Sequence, residues 1–332
     1  MSKSTDGDTW RPAATLASIR RRATLLKKIR QYFDERNVLE VETPVLTSGT
    51  VTDPNIDSFT TEYLGPGYLN IPKLYLHTSP EYAMKRLLAA GSGAIYQICK
   101  VFRQAEWGSL HNPEFTMLEW YRPGFDHYEL MGELDELVRT LNAGSIPLAE
   151  TEYFTYSEAF QKTLGMDLAK VKNEDLIRCT RDNHLSVEGL DVDDRDAWLD
   201  MLFSHLIQPQ LKSNRLVFIT DYPISQAALA NVCSEDNQFA QRFELFFNGV
   251  ELANGYNELA DAAILMSRFE SDQQKRMVLN KPPIAIDMRL LNAINNGFPQ
   301  CSGVAVGLDR LIMVLANEKN IENVIAFPIN RA

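Results

Sequence analysis

Residues 243–259 read FELFFNGVELANGYNEL, and this stretch decides the fold class. A type I′ turn needs positive φ at both central positions, which the Asn248-Gly249 pair supplies most readily. The pair predicts a two-residue hairpin in which Phe247 faces Val250 and Phe246 faces Glu251. Alternation then puts Glu244 on the face of Glu251, diagonally across the ladder at about 7–8 Å. Two acids on one phenylalanine-flanked face repel each other unless a cation lies between them. Oxygen-only ligands suit Mg²⁺ shared with a phosphate. The plainer alternative is a solvent-facing hairpin whose acids are incidental.

Outward from the hairpin, strand-like runs appear at KLYLHTS, AIYQICKVFRQ, EFTMLEWYRP, RLVFITDYP and SGVAVG. Helical patterns occupy 81–90, 127–141, 194–208, 261–279, 287–295 and 309–318. The strands come in neighbouring groups instead of alternating strictly with helices. That predicts an α+β fold, a mainly antiparallel sheet flanked by helices. Residues 1–14 read as a flexible leader and 15–332 as one catalytic domain, with 143–215 an irregular insertion or side lobe. From Thr15 a helical stripe of Ile19, Ala23, Leu26, Ile29 and Phe33 is expected to be buried. Most of the basic run Arg20–Arg30 then lies off it, as a solvated face or a grip for an acidic partner.

Two further stretches carry chemistry. In FRQAEWGSLHNPEFTMLEWY (102–121), period two places Phe115, Met117, Glu119 and Tyr121 on one face. An aromatic platform at one end and an acid–phenol pair at the other could hold a flat base and a cationic amine. A half-buried strand whose glutamate meets an arginine fits equally well. In SGVAVGLDRLIMVL (302–315), a glycine-spaced strand runs into an apolar helix with Asp309 and Arg310 at the junction. Close backbone approach and a helix N-terminus both suit an anion, yet the spacing is neither a dinucleotide fingerprint nor a P-loop.

Composition narrows the rest. The 332 residues are 45% hydrophobic and carry a net charge of -11, which disfavours nucleic acid backbones except at local basic patches. Cys99, Cys179, Cys233 and Cys301 are widely spaced, form no C-x-x-C pair and read as reduced thiols. No apolar run approaches a membrane span, so a soluble, cytoplasmic protein is expected.

Taken together, VETPVL, TSPEYAMKRLL, FRQAEWGSLHNPEFT, FELFFNGVELANGYNEL and AVGLDRL resemble the class II aminoacyl-tRNA synthetase catalytic domain in its lysyl branch, from about Ile19 to Pro328. The resemblance implies ATP as co-substrate, held by Arg103, Gln104, Glu106, His111, Asn112, Phe115, Glu244, Leu245, Gly307 and Arg310. Arg103 would take the α-phosphate, Arg310 the γ-phosphate side, and Phe115 the adenine ring. It implies Mg²⁺ on Glu244 and Glu251, and Arg103, Arg310 and Glu251 as the catalytic residues. A lysine-type amino acid would lie among Ser79, Pro80, Glu81, Glu119, Tyr121, Glu251, Asn254, Glu258 and Ala305. Strict alternation sets Asn254 and Glu258 on the face opposite Glu251, so the assignment requires a β-bulge, placed at Gly255. The helix and extended segment 15–46 resemble the family's dimer interface and imply a homodimer.

Three departures bear on function. The first signature's helix begins by about residue 15, so no anticodon-binding domain is expected before it; Ala305 stands where the resemblance implies a glycine, and the usual acid after Arg103 is displaced to Glu106 beyond Ala105. A lysyl core of this kind resembles bacterial ligases that attach (R)-β-lysine to elongation factor P. The implied acceptor is a lysine ε-amine of that factor in place of tRNA. A truncated lysyl-tRNA synthetase and a non-catalytic regulatory paralogue are the alternatives.

Overall fold

The computed structural model describes residues 10–65, 73–187, 189–233 and 237–332; positions 1–9 of the expected leader lie outside the described residues. The fold is α+β, and the chain divides into two compact units, Met1–Ile146 with Glu258–Ala332, and Pro147–Asn257.

Helix α1 (Leu16–Asp34) starts at Thr15, whose side chain accepts the Ser18 N–H as an N-cap. Its buried residues are Leu25, Ile29, Tyr32 and Phe33. The face is therefore rotated from the expected stripe: Ala23 is exposed, and Arg22 turns inward to pair with Asp309 and Thr116. Phe33 stacks on Tyr96 at 4.4 Å and meets Trp120 edge-on at 5.3 Å, and this aromatic contact fixes the helix's rotation. Short strands β1 (Leu39–Glu40), β2 (Leu46–Thr47), β3 (Thr60–Thr61) and β4 (Leu74–Leu76) follow. The last three form a small sheet ordered β2-β4-β3.

After α2 (Glu81–Ala89) come the long strands β5 (Ile95–Phe102) and β6 (Glu114–Pro123), then α3 (His127–Asn142). Strand β6 pairs antiparallel with β5 and also with β11 (Cys301–Gly307), while β1 lies parallel at the edge of β5. One register row aligns Gln97, Glu119 and Ala305; another aligns Ile95, Tyr121 and Gly303. Paired residues point to the same side of a sheet, so these rows fix which side chains meet.

The second unit contains β7 (Glu152–Thr155), α4 (Tyr156–Leu164), α5 (Asn173–Asp182), α6 (Arg195–Leu202), β8 (Leu216–Pro223), β9 (Phe239–Phe247) and β10 (Val250–Asn257). Residues 143–215, expected to be irregular outside the helical pattern at 194–208, carry three α-helices: α6 falls within that pattern, and α4 and α5 lie outside it. They are only 8–10 residues long, and short helices give weak periodicity. A capping box of Thr155 and Glu158 does mark the first of them. The helices allow β7 to return parallel to β8. A core of Tyr156, Phe160, Trp198, Leu202 and Phe203 packs on Val217, Ile219 and Phe246.

The hairpin forms in the expected register, Val250 opposite Phe247 and Glu251 opposite Phe246. Asn248 and Gly249 have φ of 52° and 75°, as a type I′ turn demands. The bulge falls between Glu251 and Ala253, not at Gly255. Its extra residue is Leu252, which is buried and apolar and is held by packing. The consequence for Asn254 is the expected one: it stands opposite Glu244, on the face of Glu251.

Back in the first unit, α7 (Ala262–Val278), α8 (Met288–Asn295), β11 and α9 (Leu308–Leu315) close the chain. No helix among the described residues is long and apolar enough to cross a membrane.

Candidate active site

The densest polar cluster of the first unit forms where α2, β6 and β11 meet the residue that precedes Leu259. Ser79 enters just before α2; its hydroxyl accepts the Glu81 N–H at 2.9 Å and donates to Glu119 Oε2 at 2.8 Å. Pro80 sits at the helix start, where a missing N–H removes no helical bond. Tyr121, two residues along β6, donates its hydroxyl to Glu119 Oε1 at 2.6 Å, which confirms the shared face read from alternation. Glu258 is anchored by its backbone N–H to the Cys301 carbonyl at 3.0 Å.

Burial gives this cluster unusual protonation. Removal from water pushes Glu119 up to about 8, the neighbouring Glu81 adds to the shift, and the Tyr121 and Ser79 hydroxyls partly offset it. Burial likewise pushes Glu258 up to about 7, against the pull of Lys85 and with a further push from Glu81. Tyr121 is held well above the usual phenol range by burial and by Glu119.

Two members of the cluster are absent from the expected set. Lys85 is buried, with Nζ 2.6 Å from Glu81 Oε1 and 2.6 Å from Glu258 Oε2. Its spacing of four from Glu81 on one helix face was a readable signal. Gly303 lies opposite Tyr121, and a Cβ there would come within 2.3 Å of the Tyr121 ring and 2.5 Å of Glu258 Oε1. The Tyr121 ring and Glu258 Oε1 therefore pack directly on Gly303, and any side chain there would have to displace them. Ala305, one row along, stands opposite Glu119 and projects its methyl to the same side.

Farther along β6 the residues expected to hold ATP gather in two groups. The Arg103 guanidinium lies 5.2 Å from the Phe115 ring centre and 3.6 Å from Glu106, so the displaced acid still reaches the arginine. The intervening Ala105 adopts a left-handed φ of 60°, a strained state for alanine that tightens the turn. Gln104 is exposed and donates to the Ser58 carbonyl. In the second group, Arg310 of α9 donates to the Leu110 carbonyl at 3.2 Å and lies 2.5 Å from His111 Nε2. Asn112 is buried and bound to backbone, donating to the Glu114 carbonyl and accepting the Ile329 N–H. Gly307 is the residue from which α9 starts.

In the second unit, Glu244 and Asn254 converge on Arg242, a third residue the sequence reading passed over. Arg242 pairs with Glu244 at 2.5 Å, reaches Asn254 Oδ1 at 3.3 Å and stacks over the Tyr222 ring at 4.4 Å. A cation does lie against Glu244, and it is this guanidinium. Burial raises the Glu244 carboxyl, while Arg242 opposes the rise and Glu251 adds to it. Leu245, expected near ATP, is fully buried and points away from Glu244; only its backbone could meet a ligand. No group of three or more His, Cys, Asp or Glu suited to a metal occurs among the described residues. Glu244 and Glu251 nevertheless offer two hard oxygen donors on one face, the set Mg²⁺ uses when phosphates complete its shell.

Chemically, the first unit joins a buried acid cluster suited to ammonium groups with arginines suited to phosphates. Comparison with known proteins agrees with that pairing. The family model of tRNA synthetases class II (D, K and N) matches residues 8–331. The elongation factor P–(R)-β-lysine ligase of Mannheimia succiniciproducens is 47% identical over 98% of this chain and 99% of its own. The proteins of the same name from Vibrio cholerae and Edwardsiella ictaluri are 47% and 45% identical, over 97% and 98% of this chain and 98% and 99% of theirs. On a match that runs through every element of both units, the chain belongs to the family of class II tRNA synthetases (D, K and N).

Proposed function

We propose that this protein is an ATP-dependent ligase that activates (R)-β-lysine as an aminoacyl-adenylate and transfers it to a lysine ε-amine of elongation factor P. The observation that carries the reading is the pair of buried carboxylates Glu119 and Glu258, with the partly exposed Glu81 beside them. It lies in a chain 44–47% identical to ligases of that name along nearly its whole length. Buried carboxylates need cationic partners, and a diamino acid supplies them.

In the first step the amino acid carboxylate attacks the α-phosphate of ATP and pyrophosphate leaves. Arg103 neutralises charge on the α-phosphate, Arg310 holds the departing phosphates, and Phe115 offers its ring to adenine. Glu244 and Glu251 would hold Mg²⁺, which neutralises phosphate charge when bound. In the second step the acceptor amine attacks the adenylate carbonyl and AMP leaves. Positioning of the two reactants carries that step, since no side chain stands out as a general base. Solvent-exposed apolar residues Leu16, Leu39 and Leu46 in segment 15–46 support a homodimer built through that face.

The test is ATP–pyrophosphate exchange with α-lysine and (R)-β-lysine, followed by mass spectrometry of elongation factor P and acid-precipitable tRNA counts. Exchange with (R)-β-lysine and a mass gain on the factor are expected, and Glu251→Gln should abolish exchange. Charged tRNA beside unmodified elongation factor P would overturn the reading in favour of a lysyl-tRNA synthetase.

A further inference from the structure

Lys85 closes the acid cluster from below. Its side chain is 2% exposed and its Nζ bridges Glu81 Oε1 and Glu258 Oε2, each at 2.6 Å. An exposed lysine–glutamate pair at this helical spacing contributes little; here Lys85 and Glu258 are cut off from water, and their charges must be matched within the cluster. The groups facing the ammonium are Glu81 from α2, Glu258, and Cys301 from β11, while Glu119 and Tyr121 from β6 face the two carboxylates, Glu81 and Glu258. Burial alone would lower the Lys85 ammonium, but Glu258 and Glu81 outweigh it and hold the proton on.

Three carboxylates stand against this one built-in ammonium. With all three ionised, as ammonium partners keep them, the cluster carries a formal charge of minus two. Resting on the functional reading above, we infer that Lys85 is a specificity-determining residue: by neutralising one of the cluster's three carboxylates it sets the site to a ligand with two ammonium groups, a diamino acid, over a monoamino acid. Lys85 engages Glu258 Oε2, whereas Glu258 Oε1 packs beside the Tyr121 ring against the bare backbone of Gly303.

The charge count is testable by calorimetry with L-lysine, norleucine and ATP as probes, on the full-length wild type, Lys85→Met, Glu258→Gln and the double variant. Wild type is expected to bind L-lysine about tenfold or more tighter than norleucine. Lys85→Met leaves three unmatched carboxylates and should weaken L-lysine by about tenfold, with ATP affinity unchanged. The double variant restores a charge of minus two and should bind L-lysine about threefold or more tighter than either single variant. Should Lys85→Met fail to fold, the double variant against Glu258→Gln carries the comparison. Unchanged L-lysine affinity in Lys85→Met, or a double variant no better than its parents, would overturn the role. Pyrophosphate exchange is read separately. L-lysine binding by the wild type with no exchange on any lysine isomer sinks the ligase reading and leaves Lys85 standing; exchange with no coupling between the two substitutions does the reverse.

Discussion

Glu119 and Glu258 retain protons near neutrality because burial penalises their charged forms, with values pushed to about 8 and about 7. An ammonium ligand lowers both values, so its binding must release protons wherever the empty pocket holds them. The sign follows: affinity for a diamino acid rises with pH up to about 8 and falls as pH drops through both free-state values. Titrations in buffers of different ionisation enthalpy should show proton release between about pH 6 and 8. A proton-neutral binding event across that window would remove Glu119 and Glu258 from the amine pocket. The shared face of Glu119 and Tyr121 was available from period two alone, because a strand leaves no other choice of face. Lys85 showed only its helical spacing from Glu81, and Gly303 and Arg242 were legible only as residue types. Their roles depend on partners that the chain brings together from distant positions.

At the level of elements, α1 illustrates how a helix can be found correctly and rotated wrongly. Its stripe was expected on Ile19, Ala23, Leu26, Ile29 and Phe33, yet Leu25, Tyr32 and the guanidinium of Arg22 turn inward. Arg22 pairs with Asp309, which is 1% exposed and also accepts the Thr116 N–H at 2.7 Å. The pair ties α1 to α9 and β6. Arg22→Ala leaves a buried carboxylate without its cation and should cost about 3 kcal/mol. Urea unfolding with an unchanged m-value is the measurement; a midpoint equal to wild type would show that the pair contributes nothing. The hairpin teaches the converse. Asn248-Gly249 set its register from the sequence, while the bulge moved to Leu252 because apolar packing chose the position.

For the whole molecule, the net charge of -11 coexists with a basic run on α1. Arg20, Arg21 and Lys27 are exposed, whereas Arg22 is engaged with Asp309 and Arg30 with Glu40. If the exposed three receive an acidic protein face, reversing them to glutamate should slow modification of elongation factor P. The effect should weaken with added salt and spare adenylate formation. Equal rates at every salt concentration would leave the run as a solvated helix face. Assembly is tested independently: light scattering should give twice the 37.6 kDa chain mass across micromolar concentrations, and a monomer throughout would refute the dimer.

The sequence by itself determined the α+β class, the hairpin register, the strand face of Glu119 and Tyr121, and the family resemblance. All of these follow from local periodicity, turn chemistry or contiguous motifs. Only the tertiary structure decided the rotation of α1, helices α4 and α5 within 143–215, the site of the bulge and the partners of Glu258 and Glu244. Each of these rests on packing or charge matching between residues far apart in the chain, such as Lys85 with Glu258 and Arg22 with Asp309. Periodicity reports which side of an element is apolar; it does not report which buried charge will be met by which other.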